Sequence, residues 1–420
     1  MFTVDQVLRL IHQLVEPVAP EPVHLRDALG QVLAAPVVLD LDAPPFDRAV
    51  LDGFAVRAAD TDRLEPLLII GHQDAGGLPF TTPVGPGQCV RINTGAPMPP
   101  TADAVLMVEL SEQVPGPAVG GSTKTDAHRI RPLRAVSPGE AVQRRGHDAA
   151  AGDTVLFPAT RLTPAHLAVA ATAGADQLPI RRPSVAILTT GDELVDISAT
   201  PAPRPAPGQI RNSNRPMLAA LVAQFLTLGA VLDLGNCPDD APELRRRILH
   251  ALEKADLLVI SGGMSMGTRD LAPQLLAELG FVLHVEKVRM KPGKPFLFGS
   301  LPHNGRTRYV AGLPGNPVSA FVTFHRFVRE ILASLCDAPA PRLLVAHSTV
   351  ELPPNADREF YQPCSLSLED AALRATPLTW KGSADLFTLA RATALLIRPP
   401  DAPALSANAP VPILPLAALP

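Results

Sequence analysis

Two loops in the second half of the chain combine glycine with hydroxyl and amide side chains, a composition typical of sites that bind phosphate-type anions. Residues 261–267 read Ser-Gly-Gly-Met-Ser-Met-Gly, and residues 312–317 read Gly-Leu-Pro-Gly-Asn-Pro. Glycine lets backbone N–H groups approach an anion closely. Asn316 and Pro317 suit the N-cap and first position of a helix, whose positive end attracts anions. The second loop predicts a phosphate-type site, whereas the first, taken alone, fits an ordinary tight turn as well.

Two lysines, Lys291 and Lys294, lie three residues apart in a loop that reads Lys-Pro-Gly-Lys-Pro. Proline restricts the backbone, so the loop would hold the two ammonium groups in defined directions. Compact charges of this kind suit a small multiply charged anion, because a nucleic-acid duplex needs an extended basic surface. A surface loop with solvated lysines is the alternative.

Carboxylates stand close to these loops in the predicted order of elements. Asp192 and Glu193 follow a predicted strand at 185–188, where a divalent cation could bridge them to a phosphate-rich ligand. A solvated turn would also explain the pair. Residues 212–214 add two amides and a hydroxyl ahead of a helix, more than capping requires. No nucleophile and base stand at a spacing that would indicate covalent catalysis.

These loops require a sheet to position them, and the sequence from Arg182 onward predicts a mostly parallel α/β sheet. A helix follows Pro317, with apolar residues at helical spacing as far as Leu332. Ligands of such sheets bind at the carboxyl ends of the strands. The predicted strands are 184–188, 230–234, 257–260, 281–288 and one around Tyr309, and the other predicted helices are 214–228, 243–255 and 269–279.

The rest of the chain predicts three further regions. Residues 1–42 look helical, beginning with an amphipathic helix within 1–17. Residues 43–153 predict a small β domain with polar loops at 44–55, 91–97 and 144–148, strands at 67–70 and 104–108, and a surface loop at 114–135; a helix at 162–175 closes this half. After Asp337, short β segments predict a C-terminal β domain, ending in a proline-rich tail at 410–420 that is extended or loose.

The bulk composition is that of a globular protein of several domains. The chain has 420 residues, of which 46% are hydrophobic and 19% charged, and its formal net charge is -4 at pH 7. This balance gives no reason to expect nucleic acid or an anionic membrane as a partner, so an anion site must be local. The four cysteines form no paired or metal-ligand motif, and no stretch is long enough to span a bilayer. A cytoplasmic protein with reduced thiols is expected.

Seven motifs in order resemble those of the molybdopterin molybdenumtransferase family, which comprises the MoeA enzymes and the related domain of gephyrin. Each motif alone is common, but seven in order form a specific pattern, and the resemblance runs from about residue 1 to 415. The motifs are Asp-Gly-Phe-Ala at 52–55, Asn-Thr-Gly-Ala-Pro at 93–97, Arg-Arg-Gly-His-Asp at 144–148, Thr-Thr-Gly-Asp-Glu-Leu at 189–194, Ser-Gly-Gly-Met-Ser-Met-Gly at 261–267, Lys-Pro-Gly-Lys-Pro at 291–295 and Gly-Leu-Pro-Gly-Asn-Pro-Val-Ser-Ala at 312–320.

The resemblance implies an α/β plus β multidomain fold. A helical N-terminal linker and dimerisation domain would comprise residues 1–42 and 152–178, with a small β domain inserted at 43–151. A mostly parallel α/β molybdopterin-binding domain would follow at 179–336, and a β-barrel-like domain at 337–420. The resemblance also implies an elongated homodimer, with the active site in a cleft between the α/β domain of one subunit and the β domain of the other.

The implied activity is Mg²⁺-dependent insertion of molybdate into adenylylated molybdopterin, with release of AMP, in molybdenum cofactor biosynthesis. Adenylylated molybdopterin and molybdate would be the substrates. The molybdopterin adenylyltransferase and molybdoenzyme chaperones are further expected partners, and neither nucleic acid nor a membrane is expected.

The same resemblance assigns roles to individual residues. Lys291 and Lys294 would bind molybdate or pyrophosphate oxygens, and Thr94 would shape the opposing wall of the site. The catalytic carboxylates would be Asp52, Asp148, Glu193 and Asp270, and Asp52, Glu193 and Asp270 would bind Mg²⁺. The loops that hold the pterin phosphate and its neighbouring groups would contribute Ser261, Gly262, Gly263, Ser265, Gly267, Pro314, Gly315, Asn316 and Pro317.

Four positions depart from the usual family pattern. Ala49 and Phe54 lack a hydroxyl and a phenol, while Asn212 and Thr268 stand where acidic residues are common. Because the carboxylates and both lysines are retained, activity is expected.

Two alternatives are a non-catalytic carrier or scaffold for molybdopterin and a molybdopterin adenylyltransferase, which the α/β domain alone resembles. An adenylyltransferase would need neither the N-terminal half nor the C-terminal β domain.

Overall fold

The computed structural model describes residues 1–114, 129–197, 203–226, 231–263 and 271–416. The chain divides into two compact units. The first comprises Met1–Ala35, Pro158–Pro164 and Gln177–Pro420, and the second comprises Pro36–Phe157 and Ala165–Asp176. No helix in the described ranges is long and apolar enough to cross a membrane.

An amphipathic helix opens the first unit. α1 (Val4–Leu14) begins with a capping box between Thr3 and Gln6, and its apolar residues at helical spacing are buried. β1 (Glu21–His24) follows and pairs antiparallel with a strand at residues 177–180. The predicted helix within 1–17 is confirmed. The prediction that residues 1–42 are helical throughout is wrong, because prolines at 17, 20 and 22 remove the N–H donors that a continued helix needs.

A six-stranded sheet forms the core of the second unit. Its order is β7-β4-β6-β5-β9-β8, and only β5 and β6 pair in parallel. Two short antiparallel pairs, β2 with β11 and β3 with β10, complete the strands. The elements are β2 (Val37–Val38), β3 (Arg48–Ala49), β4 (Gly53–Val56), β5 (Leu67–Gln73), β6 (Gln88–Ile92), β7 (Ala104–Met107), β8 (Ser111–Val114), β9 (Arg129–Pro132), β10 (Val142–Gln143), β11 (Thr154–Leu156) and α2 (Pro164–Thr172).

The predicted strands at 67–70 and 104–108 correspond to β5 and β7. The predicted surface loop at 114–135 is wrong for residues 129–132, which form β9 between β5 and β8. Ile130 explains the difference, since its side chain is fully buried in the sheet core. The predicted helix at 162–175 corresponds to the shorter α2.

The α/β part of the first unit is built on a six-stranded sheet of order β16-β13-β17-β21-β20-β18. The first four strands are mutually parallel, β20 pairs antiparallel with β21, and β18 pairs antiparallel with β20. A π-helical segment, Phe324–Val328, joins α6 to α7. The elements are β12 (Gln177–Ile180), β13 (Val185–Thr190), β14 (Leu194–Val195), β15 (Ile210–Arg211), α3 (Asn214–Phe225), β16 (Val231–Cys237), α4 (Ala241–Lys254), β17 (Leu257–Ser261), α5 (Leu271–Glu278), β18 (Val282–Val285), β19 (Met290–Lys291), β20 (Leu297–His303), β21 (Arg306–Leu313), α6 (Pro317–Thr323) and α7 (Arg329–Leu335).

Both faces of this sheet are buried, which explains why its central strands read as continuous apolar runs. Along β13, Val185 and Ile187 enter the core that includes α3, α6 and α7, whereas Ala186 and Leu188 enter the core that includes α4 and α5. The predicted helices and parallel strands are confirmed with small changes of boundary. β20 was missed, because its proline and turn residues hide a seven-residue strand.

The C-terminal part of the first unit is a closed five-stranded barrel. Its strands pair in the ring β23-β24-β22-β26-β25 and back to β23, which leaves no open edge. The predicted tail at 410–420 is extended over its described residues, where Pro410–Pro415 is a barrel strand. The elements are β22 (Leu344–Ser348), β23 (Glu359–Glu369), β24 (Ala372–Pro377), α8 (Leu386–Leu389), β25 (Ala394–Arg398) and β26 (Pro410–Pro415).

The four cysteines are free and buried, as expected for structural thiols. Burial raises the pKa of the Cys89, Cys336 and Cys364 thiols to about 12.

A candidate anion-binding site at the carboxyl edge of the sheet

Three parallel strands of the first unit end side by side. Thr189 of β13 pairs with Ser261 of β17, and Ser261 pairs with Leu313 of β21. The residues that follow these three, Thr190, Gly262 and Pro314, therefore lie at the same edge of the sheet. The predicted strands at 184–188 and 257–260 and the one around Tyr309 therefore end at a single edge of the sheet.

Gly262 lies where only glycine fits. Its φ is +90°, and a Cβ on its Cα would stand 2.4 Å from the Thr190 carbonyl oxygen. A Cβ on Gly315 would stand 3.8 Å from the Gly262 Cα, so the two glycine loops approach each other backbone to backbone. This close approach leaves the loops' backbone groups unshielded by side chains, which suits a phosphate-type ligand.

A cavity of about 500 Å³, here called the glycine cavity, opens at this edge. Glu193 lies on the wall of this cavity, and its side chain folds back over Gly191. A Cβ on Gly191 would stand 2.4 Å from Glu193 Oε2. Asn316 lies at the N-cap of α6 with extended backbone angles, as predicted, but makes no side-chain capping bond and lines the cavity. The lining also includes Thr190, Asn212, Ser213, Asn214, Ser261, Gly262, Gly315 and Pro317.

Buried amides fix the floor of the glycine cavity. Asn214 Nδ2 donates to Ser261 Oγ at 2.9 Å and to the Gly315 carbonyl at 2.8 Å. Ser261 in turn donates to the Pro314 carbonyl at 3.3 Å. The Ser261 hydroxyl therefore ties the two glycine loops together. Asn212, one of the departures from the family pattern, bonds to Thr189 and Asp196 and holds the neighbouring loop.

Two buried polar atoms on this wall have no hydrogen-bond partner within the described part of the chain, namely Thr190 Oγ1 and Asn214 Oδ1. Both residues line the glycine cavity. Buried polar atoms nearly always have a hydrogen-bond partner, so two such atoms without one indicate that a polar ligand or a water molecule binds here. Thr190 was missed as a site residue, because nothing in its local sequence distinguishes it from the strand it ends.

Lys291 and Lys294 line a second cavity of about 520 Å³, here called the lysine cavity. Gly293 anchors their loop, since a Cβ there would stand 2.5 Å from Thr323 of α6. No Asp or Glu of the described residues lines this cavity, and Arg358 and Lys381 of the barrel segment join the two lysines. Asn316 lines both cavities, so they adjoin at the start of α6.

Arg358, Lys381 and the single tryptophan, Trp380, were missed by sequence reasoning. They follow the lysine loop by more than sixty residues, and only closure of the barrel brings them to it. The cavity thus collects four cationic side chains, which favours a small, multiply charged oxyanion.

Asp52 and Thr94 contact each other in the second unit. The Thr94 backbone N–H and hydroxyl both donate to Asp52 Oδ1, at 2.6 and 2.9 Å. These bonds lower the pKa of Asp52, first through the backbone donor and then through the hydroxyl. Asp52 is therefore held ionised, with Thr94 fixing one of its two oxygens.

Asp148 is held less tightly. Its Oδ1 accepts from Gln143 Nε2 at 2.9 Å and lies 3.0 Å from His147 Nδ1. The surrounding loop is tied down by Arg145, whose backbone N–H donates to Asp47 Oδ1 at 2.8 Å. The side chain of Asp148 remains about half exposed and open to a ligand.

The described residues contain no group of three His, Cys, Asp or Glu side chains that could hold a metal ion. Ser265, Gly267 and Asp270, like the departure at Thr268, lie outside the described residues. Asp52 in the second unit and Glu193 in the first each carry carboxylate oxygens, which are the kind of donor that Mg²⁺ prefers.

The remaining departures from the family pattern lie in the core of the second unit. Phe54 is 4% exposed and packs in the sheet core, and Ala49 is 1% exposed on the opposite face. Both residues are therefore packed in the interior of the second unit.

Thr94→Val tests how the Asp52 carboxylate is held. Valine keeps the shape and the backbone donor but removes the hydroxyl donor, so the pKa of Asp52 rises. In the wild type the hydrogen bonds lower this pKa, so they stabilise the folded state at pH values above the ordinary pKa of an aspartate. That contribution to the free energy of unfolding disappears as the pH falls through the lowered pKa. NMR titration of the Asp52 carboxyl carbon measures the change.

Asp42 is the internal control, because Ala151 and Arg145 lower its pKa and Thr94 does not. An unchanged pKa of Asp52 in Thr94→Val would show that the backbone N–H alone holds this carboxylate.

The fold and site define a multidomain α/β protein with a candidate anion-binding site at the carboxyl ends of a parallel sheet. Three family models match the chain: the MoeA N-terminal region (domain I and II) over residues 2–174, the probable molybdopterin binding domain over 186–334, and the MoeA C-terminal region (domain IV) over 345–416. The chain belongs to the MoeA family of molybdopterin molybdenumtransferases.

Individual relatives agree with the family models. The molybdopterin molybdenumtransferase of Nostoc sp. is 35% identical over 94% of this chain and 89% of its own length. The enzyme of the same name from Bacillus subtilis is 33% identical over 94% of this chain and 90% of its own. The crystal structure of the molybdopterin biosynthesis MoeA protein from Pyrococcus horikosii superposes with a TM-score of 0.81 at 27% identity, over the whole of both chains.

Proposed function

We propose that this protein is a molybdopterin molybdenumtransferase that inserts molybdate into adenylylated molybdopterin, using Mg²⁺ and releasing AMP. One observation carries the proposal: a glycine-walled cavity suited to an organic phosphate adjoins a cavity with four cationic side chains suited to an oxyanion. The reaction needs those two ligands side by side. The names of the relatives support the same activity.

In the glycine cavity, the turns at Gly262 and Gly315 would receive the pterin phosphate and its neighbouring groups. Both positions leave the backbone accessible, because neither carries a side chain. Thr190 Oγ1 and Asn214 Oδ1 are unpaired on the same wall and would bond to polar groups of the ligand. Ser261 would act indirectly, by holding the two turns together.

In the lysine cavity, Lys291 and Lys294 would bind molybdate oxygens as point charges, with Arg358 and Lys381 adding to the field. The packing of the loop against α6 at Gly293 sets the direction of both lysines. The backbone of the loop is thus held against α6 before the anion arrives, and the lysine side chains extend from a defined position.

Asp52 and Glu193, together with Asp270, are the residues proposed to bind Mg²⁺, and Asp148 would assist at the pyrophosphate bridge. When bound, Mg²⁺ would neutralise the bridge that is cleaved and stabilise charge on the departing AMP phosphate. Thr94 supports Asp52 by keeping it ionised, which is the state a cation requires.

AMP release from adenylylated molybdopterin, measured with and without molybdate and Mg²⁺, tests the function. Release that requires both establishes the transferase. Tight pterin binding without release indicates a carrier or scaffold, and formation of adenylylated molybdopterin from ATP indicates an adenylyltransferase. The proposal includes a homodimer, which sedimentation analysis of the same sample checks.

Lys294→Ala is expected to weaken the use of molybdate. Loss of one charge-assisted contact lowers the rate about tenfold at limiting molybdate, and high molybdate restores it. Insertion rates across a molybdate series measure the effect. Lys254→Ala is the matched control, since Lys254 is an exposed lysine on α4. Equal rates of Lys294→Ala and the control down to the lowest molybdate would show that Lys294 is structural.

A further inference from the structure

A third cavity of about 360 Å³ in the first unit is used by neither proposed substrate. It is walled by α3, the π-helical segment, the start of α7 and the end of β26, together with Arg161. Small-molecule sites generally begin at about 300 Å³. The lining consists of Arg161, Leu221, Gln224, Phe225, Phe324, His325, Arg329, Pro415 and Leu416.

Two guanidinium groups face this cavity without an acidic neighbour on its wall. Among the described residues, no Asp or Glu lines it. Arg161 donates to the Gly30 carbonyl at 2.6 Å and lies 5.0 Å from the centre of the Phe225 ring. Arg329 lies 3.3 Å from His325 Nδ1. Burial lowers the pKa of Arg329 most, the charge of Glu330 raises it, and the charge of Arg161 lowers it by less than either. Glu330 offsets part of this charge but does not line the cavity, so on the cavity wall the two guanidinium groups have no carboxylate partner among the described residues.

His325 supplies a buried donor. Arginine only donates, so Nδ1 accepts from Arg329 and the proton of the neutral ring lies on Nε2. Burial and the charge of Arg329 lower the pKa of His325 to about 3, so the ring is neutral. The residue is 4% exposed, and Nε2 has no partner within the described part of the chain. An unsatisfied buried N–H is destabilising, so a ligand that accepts from it is indicated.

The backbone at this point is irregular. Residues Phe324–Val328 form a π-helical turn between α6 and α7, and it carries both Phe324 and His325. Such turns are rare and frequently lie at functional sites, because they redirect side chains that a regular helix would place elsewhere. The irregular turn and the unpaired Nε2 thus both involve His325, a residue that lines this cavity.

We propose that this cavity is a second anion site, which binds a phosphate monoester with an apolar or aromatic body. The two guanidinium groups and the His325 Nε2–H donate to the phosphate oxygens. The organic group lies against the apolar wall formed by Leu221, Phe225, Phe324 and Leu416. A phosphate with three terminal oxygens uses this number of donors better than a carboxylate with two. The proposal does not depend on the proposed function.

Titration calorimetry with phenyl phosphate in a phosphate-free buffer tests the site on the full chain. Phenyl phosphate is expected to bind, and Arg161→Met and Arg329→Gln are each expected to weaken it about tenfold or more. Benzyl alcohol, which lacks the anion, is expected not to bind. Arg26→Gln is the matched control, since the Arg26 side chain is 78% exposed and far along the chain from the cavity lining.

Trp380 fluorescence distinguishes binding in this cavity from binding in the lysine cavity. It is the one tryptophan of the chain and lines the lysine cavity, so its fluorescence reports ligand there. If Arg161→Met and Arg329→Gln leave the heat of phenyl phosphate binding unchanged, the proposal is wrong. A change of oligomeric state in both variants, seen by sedimentation, also overturns it, because a second copy of the chain would then fill the cavity.

An NMR measurement on the wild-type protein tests the same site if either arginine variant fails to fold. With ¹⁵N-labelled histidine, the His325 Nε2 signal, assigned with His325→Gln, is expected to shift on addition of phenyl phosphate. No shift at saturating phenyl phosphate contradicts the site.

Discussion

Gly262→Ala is expected to destabilise the first unit by about 3 kcal/mol or more and to abolish molybdate insertion. Two separate effects add. The left-handed backbone at φ +90° costs an alanine about 1–2 kcal/mol, and a Cβ 2.4 Å from the Thr190 carbonyl oxygen forces the backbone of β13 or of the glycine loop to move. Because this contact lies at the wall of the glycine cavity, the same movement disturbs the proposed phosphate site. Urea unfolding followed by Trp380 fluorescence measures the stability of this unit.

Gly305→Ala is the matched control in the same unit. Gly305 has φ +75°, but the Cβ of an alanine there would have no atom within 4 Å, so this variant reports the backbone effect alone, about 1–2 kcal/mol. The difference between the two variants isolates the steric effect at Thr190. Equal losses would show that the carbonyl moves aside freely and that the close approach of the loops is not required.

Asp52→Asn is expected to lower the rate of molybdate insertion about 10²–10³-fold while leaving the binding of adenylylated molybdopterin within about threefold. Asparagine keeps an oxygen that accepts from the Thr94 N–H and hydroxyl, so the local structure is preserved. Only the negative charge is lost, and with it the proposed interaction with Mg²⁺. AMP release at saturating pterin, compared with pterin affinity, separates the two effects.

Asp62→Asn is the control for Asp52→Asn, because Asp62 is an exposed carboxylate of the same unit with no role in the proposed site. Its rate should match the wild type. If Asp52→Asn kept the full rate and the same dependence on Mg²⁺, the role of Asp52 would be confined to holding the Thr94 loop.

The sequence predicted the α/β sheet well because its central strands are buried on both faces and its helices carry one apolar face. These are local patterns, as β13 and α4 show. It failed where neighbours from other segments decide the structure. Residues 129–132 become a strand because Ile130 enters the sheet core, and β20 forms because it pairs along its whole length with β21. β9 alternates polar and apolar residues but is only four residues long, and β20 shows no regular alternation.

The same distinction applies to the site. The two glycine turns, the lysine loop and the Asn-Pro start of α6 could be predicted from local sequence, because each depends on the conformational limits of glycine and proline and on short-range spacing. Tertiary structure alone decided that Arg358 and Lys381 join the lysines, that Ser261 holds two loops together, and that Phe54 is buried. Charges and hydrogen-bond partners distant along the chain meet only when the barrel closes and the strands align, and no local pattern specifies those contacts.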